Sequence, residues 1–121
     1  MNDGLAIESL YATGYWLLEQ HRYSDAAHVF RAMLLSAPED ERSWLALGTC
    51  HESIGQPAIA EKLYRSGSEV VAQPIRCVLA QARALRVLGR GDEALLVLER
   101  ADELADDEEA RTLVAAERRE L

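Results

Sequence analysis

The sequence predicts an all-α solenoid: three helix-turn-helix units stacked in series and closed by one further helix. Three observations predict it. Residue size and polarity recur with a step of 34 residues. Within each unit, apolar residues keep helical rather than alternating spacing. A glycine, a proline or a short polar turn separates the two helices of every unit.

The recurrence is plainest around Gly48, which interrupts the helical stretch "LALGTCHESIG". Glycine costs a helix interior about 1 kcal/mol relative to alanine, so a close approach should require it. A step of 34 residues either way reaches Gly14 and Ala82. The same step links Ala26, Ala60 and Ala94; Phe30, Tyr64 and Leu98; Leu10, Trp44 and Val78; and Met33, Gly67 and Ala101, with Met33 out of size in its column. Gly55 recurs as Gly89.

Unit one, about 5–38, runs as a helix from Leu5 to His21, turns at Arg22-Tyr23-Ser24 and resumes through Ala37, with Ser24 as the expected N-cap. Pro38 ends it, and Glu39, Asp40 and Glu41 suit the positive end of the next helix dipole. Unit two, about 41–73, places Trp44, Leu47, Gly48 and Ile54 on one face of its first helix. Gly55-Gln56-Pro57 breaks the chain, and Ile59, Ala60, Leu63, Tyr64 and Gly67 form the packing face of its second helix. Gly48 and Ala60 are expected where the two helices cross. Unit three, about 74–106, runs from Pro74 to Gly89 and from Asp92 to Ala105. A capping helix follows over about 107–119, with Leu113 and Val114 expected to cover the open end of the stack.

Composition narrows the function. A net charge of −8 lacks the basic face that phosphate binding needs, which argues against nucleic acid. No apolar run approaches the roughly 20 residues of a membrane span, and "MNDGLAIESL" lacks the basic and apolar regions of a signal peptide. A cytoplasmic protein without membrane insertion is expected. Cys50 and Cys77 have no second pair to complete a metal site and read as buried, reduced thiols. His21, His28 and His51 form no HExxH, and "GRGDEA" follows no strand, so it is no phosphate loop. No enzyme, catalytic residue, cofactor or metal is predicted.

A step of 34 with these small and large residues resembles the tetratricopeptide repeat. Trp44, Leu47, Gly48, Ala60 and Tyr64 match its motif in unit two; Gly14, Ala26, Phe30 and Pro38 in unit one; Ala94 and Ala101 in unit three. The resemblance implies a right-handed superhelix whose first helices line a concave surface. The positions offset from packing would then face the groove: Glu8, Tyr11, Tyr15, Leu18 and Glu19; Arg42, Leu45, Thr49, Glu52 and Ser53; Arg76, Leu79, Arg83, Arg86 and Val87. Tyr11, Tyr15, Leu18, Leu45 and Leu79 would make a hydrophobic strip flanked by Arg76, Arg83 and Arg86, the pattern of a peptide site. Packing between units is the alternative use of the same residues. Repeats that hold acidic chaperone C-termini share a Lys/Asn carboxylate clamp; those positions here hold Tyr15, Leu45, Thr49 and Arg83, so an apolar segment is the expected ligand.

The wording inside the repeats is more specific. "LYATGYWLLEQHRYSDAAHVFRAMLLSAP", "LALGTCHESIGQPAIAEKLYRSGSEV" and "LAQARALRVLGRGDEALLVLERADELA" resemble the three units of the class II chaperones of bacterial type III secretion, the LcrH/SycD/IpgC family, over about residues 9–110. The "LGxC" and "GQ" details carry the likeness. It implies a cytoplasmic virulence-associated chaperone that takes an extended segment of a hydrophobic translocator, or another secretion component, into its groove before export. Carried over by position, Tyr11, Tyr15, Leu45 and Leu79 would form its apolar pockets, within an expected groove set of Tyr11, Tyr15, Leu18, Leu45, Thr49, Glu52, Leu79, Arg83 and Arg86. Family members usually carry a helical stretch ahead of the first unit that is implicated in dimerisation; here the repeat begins almost at Met1, so the homodimer is an open expectation. The alternative function is a general repeat scaffold in a regulatory complex.

Overall fold

A computed structural model of the chain describes residues 3–121; Met1 and Asn2, the first residues of the single repeat domain expected over 1–121, lie outside them. The described residues form α1 (Asp3–Glu19), α2 (Tyr23–Ser36), α3 (Glu41–Ser53), α4 (Pro57–Val70), α5 (Ile75–Val87), α6 (Gly91–Leu104) and α7 (Glu108–Arg119). Each helix packs on the next in the chain, and the first helices also meet one another, α3 on α5 and α5 on α7. This is the repeat stack that the 34-residue step predicts.

The size columns explain why the pairs fit. A Cβ added at Gly14 would lie 2.4 Å from the Phe30 ring, and one at Gly48 would lie 2.2 Å from the Tyr64 ring. The small residue on the first helix therefore receives the large ring of the second. Gly48 faces Tyr64 rather than Ala60, although Ala60 is also fully buried. A Cβ at Gly67 would meet Trp44 at 2.7 Å and the Cys77 sulfur at 2.9 Å, so this glycine sits where α3, α4 and α5 converge. Unit one reverses that exchange: the smaller Leu10 faces a core that holds the fully buried Met33. This is why Met33 is tolerated in a column of small residues.

Three turns repeat as closely as the helices do. Gly55 and Gly89 adopt φ of +75° and +76°, and His21, one step of 34 earlier, takes the same left-handed conformation at 59°. The same hydrogen bond closes each helix end, from Arg22 N to Leu17 O, Gln56 N to His51 O and Arg90 N to Leu85 O, at 2.8–2.9 Å. Glycine adopts this conformation without a Cβ penalty, whereas His21 pays it.

The core lies along the stack in three clusters, each bridging neighbouring helices. Leu17, Phe30, Met33 and Leu47 join α1, α2 and α3; Ala60, Tyr64, Ala80 and Ala84 join α4 to α5; Val78, Leu98, Ala101 and Val114 join α5, α6 and α7. Several local expectations change. Ser24 is no cap: α2 begins at Tyr23 behind Arg22, which makes no capping side-chain bond. Ile54 and Ile59 are exposed at the turn between α3 and α4 rather than packed. Asp40 is the N-cap of α3, accepting from Arg42 N at 3.0 Å, and Asp107 caps α7 by accepting from Ala110 N. Val114 covers the third cluster, but Leu113 stays partly exposed. Cys50 and Cys77 are free and buried, and burial pushes their thiols up to about 11 and about 12.

Candidate functional site

On α1, Tyr11 and Tyr15 stand one turn apart with rings 4.8 Å apart edge to face, and both lean on Phe30, at 6.4 and 5.6 Å. Phe30 is fixed because Gly14 leaves it room, so the repeat packing positions the tyrosine pair. Burial, with Tyr11 alongside, pushes the Tyr15 phenol up to about 12, so it remains a neutral donor at physiological pH. The Arg42 guanidinium lies 4.6 Å over the Tyr11 ring. It is held there by Glu8 at 2.7 Å and Asp40 at 2.8 Å. Hydrogen bonds from Arg42 hold both carboxyls below their usual range. Leu18 is half-buried against the first cluster.

A second group of apolar residues lies on α3 and α5. Leu45, Leu79, Ala80 and Arg83 line a cavity of about 280 Å³, and α7 closes its other side with Leu113, Ala116 and Glu117. Leu45 is half-buried, whereas Leu79 is only 6% exposed, so Leu79 is mainly a core residue that shows an edge to the cavity. Arg83 reaches Glu117 at 3.2 Å. A second cavity, of about 400 Å³, is lined by Glu52, Gly55, Pro57, Arg83, Ala84, Arg86 and Val87. Thr49 donates to its own helix at Leu45 O, and the Glu52 carboxylate accepts from the buried Tyr64 hydroxyl at 2.7 Å. Those two side chains are therefore engaged within α3 and between α3 and α4. Tyr64 is in turn raised, first by burial and then by Glu52.

Thus Leu45, Leu79 and Arg83 gather around one cavity, and Glu52, Arg83 and Arg86 around the other. Tyr11, Tyr15 and Leu18 line neither and form a separate patch on α1. The α7 contributors were absent from the sequence-derived set. Their signal was present: Leu113, Ala116 and Glu117 stand 34 residues after Leu79, Ala82 and Arg83. The α7 helix therefore repeats the register of a first helix and packs on α5 as α5 packs on α3.

The tetratricopeptide-repeat family profile matches residues 17–83. The chain belongs to the tetratricopeptide-repeat family. Among curated relatives, the low calcium response locus protein H of Yersinia pestis is 31% identical over 101 residues, which are 84% of this chain and 60% of that protein. The repeat chain thus spans about 60% of the length of the curated relatives it matches. Among solved structures, the Yersinia enterocolitica type III secretion translocator chaperone SycD superimposes with a TM-score of 0.84 at 29% identity, over 95% of this chain and 87% of that one. Pseudomonas aeruginosa PcrH, bound to the chaperone binding region of PopB, gives 0.83 at 27% identity, over 96% and 94%. The seven-helix repeat architecture and the likeness to the translocator-chaperone branch of the family, both expected from the sequence, are borne out.

Proposed function

We propose that this repeat protein is a cytoplasmic chaperone of type III secretion that shields an extended apolar segment of a translocator, or of a related secretion component, until export. One observation carries the proposal. The first helices leave apolar side chains partly exposed, the Tyr11–Tyr15 pair on α1 and Leu45 beside a cavity on α3, in a fold closely similar to that of SycD. A solvated helix face would be polar at such positions, and exposed apolar surface with a charged rim marks a binding site. Tyrosines suit the task because they contribute apolar area and a hydroxyl at low cost in side-chain entropy. The relatives support the same reading, since PcrH has been solved with a region of PopB and SycD with a peptide of YopD. No helix among the described residues is long and apolar enough to cross a membrane, in keeping with a carrier rather than an inserted component.

The test is affinity capture from source cells with the intact chain and with a Tyr11→Asp, Tyr15→Asp variant shown by circular dichroism to be folded. The expected result is an export substrate with hydrophobic segments, retained by the intact chain and lost by the variant. Retention of one and the same partner by both forms would remove the groove as the site and favour a scaffold that binds through another face.

A further inference from the structure

We infer that the groove at α5 reads an internal acidic residue set between two apolar ones in the bound segment. The inference rests on the groove reading above and narrows its ligand from apolar to apolar–acidic–apolar.

Arg83 lines both cavities of the α3–α5 face. On one side of it lie Leu45, Leu79 and Leu113; on the other lie Pro57, Ala84 and Val87. Each cavity is large enough for an aliphatic side chain, and the cation stands between them. Its charge is already met by a carboxylate, Glu117 on α7, at 3.2 Å on the surface. A ligand carboxylate would thus replace an existing partner of the same chemistry at Arg83.

A second observation points the same way. The Nε of Arg86, at the second cavity, is buried and meets no acceptor among the described residues. A buried donor without a partner costs about 1–3 kcal/mol, and Arg86 adds a second cation at that cavity. Arg76 also lines the first cavity, and its charge acts on Glu41. Together the two cavities are lined by three arginines, Arg76, Arg83 and Arg86, against two carboxylates, Glu52 and Glu117, and this local excess of positive charge in a protein of net charge −8 favours an anionic residue in the ligand.

Spacing fixes where that residue falls. From Leu79 to Val87 the helix rises about 12 Å. An extended segment running along α5 covers that distance in about four residues. Side chains at i and i+4 then enter the two cavities, and i+2, on the same face, meets Arg83. Because cavities lie on both sides of Arg83, the carboxylate belongs to a side chain within the segment.

The experiment is selection of a random twelve-residue phage-displayed library on the intact chain, on Arg83→Gln and on Glu117→Gln. The expected outcome on the intact chain is enrichment of aliphatic residues four apart with Asp or Glu between them. Arg83→Gln should keep the aliphatic pair and lose the acid. Glu117→Gln, which removes the internal competitor, should keep the acid and bind the selected peptide more tightly. For that peptide, Glu→Gln should weaken binding to Glu117→Gln about tenfold, the scale of a lost charge-assisted hydrogen bond, should weaken binding to the intact chain less, because Glu117 there takes back Arg83, and should not weaken binding to Arg83→Gln. Enriched apolar segments without an acid would overturn this inference and leave the groove reading intact. Recovery of no apolar segment at all would overturn both.

Discussion

Replacing Gly48 by alanine sets two effects of opposite sign against each other. Helix propensity alone favours alanine by about 1 kcal/mol. The new Cβ, however, would lie 2.2 Å from Tyr64 Cε1 and 2.5 Å from Cζ, well inside van der Waals contact. The ring has little room to retreat, because Tyr64 is 1% exposed and its hydroxyl is bonded to Glu52 at 2.7 Å. Forcing it aside gives up about 1 kcal/mol of hydrogen bonding and overpacks the core by about 1–3 kcal/mol. The net expectation for Gly48→Ala is a loss of about 1–3 kcal/mol. Unit three shows the remedy, since the same two columns there hold Ala82 and Leu98 in one cluster. The double variant Gly48→Ala, Tyr64→Leu should therefore be more stable than the sum of the two single changes by at least about 1 kcal/mol. Urea unfolding followed by far-ultraviolet circular dichroism on all four proteins measures this coupling. A stabilised Gly48→Ala protein, or two substitutions that simply add, would refute the argument that ring and glycine are one packing unit.

Four further substitutions test the turns, a cap and a buried carboxylate. His21→Gly should stabilise by about 0.5 kcal/mol, because relief of the left-handed conformation outweighs the exposed His21–Tyr23 hydrogen bond; Gly55→Ala should destabilise by about 1 kcal/mol, and thermal shifts of the same sign for both would sink the account of the repeated turn. Asp40→Ala should cost about 1 kcal/mol as a lost N-cap. Since Arg42 lowers the folded pKa of Asp40, that contribution is present above the unfolded carboxylate value and is lost as pH falls through the folded one. The gap between wild type and variant, followed by urea unfolding, should therefore close in strong acid. Glu41 accepts from the Cys77 N–H at 3.0 Å, at the start of α5, but burial raises its pKa. Its folded form holds the proton more tightly than the unfolded chain does, so its contribution is complete below the unfolded value and declines as pH rises through the folded one. Glu41→Gln should gain stability relative to wild type between mildly acid and neutral pH, and an unchanged difference would contradict the burial argument.

The sequence by itself determined the repeat, the helix pairs, the breaks at Gly55 and Gly89, and the columns of small and of large residues. These were legible because helices in a solenoid touch mainly their neighbours, so the same steric demand returns in every unit. It also located the tyrosine pair on α1 and the half-buried Leu45, since a helix face not needed within its own pair shows up as an offset in the periodicity. What the tertiary structure alone decided depends on how successive units lean on one another. Nothing around Glu61 marks it as buried, yet it is 2% exposed, with the Gln81 amide at 2.9 Å across the next helix. Glu41 reads as a helix-dipole residue of α3 but also bonds to the first turn of α5. Leu79 is covered by its neighbours in the third cluster, and Thr49 and Glu52 are engaged within the groove wall. Leu113 and Glu117 stand one 34-residue step after Leu79 and Arg83, so the register of α7 was legible, but its closing of their cavity was not. Local periodicity tells which face of a helix is spare, but only the rotation between units brings that face against a partner, a cavity or solvent.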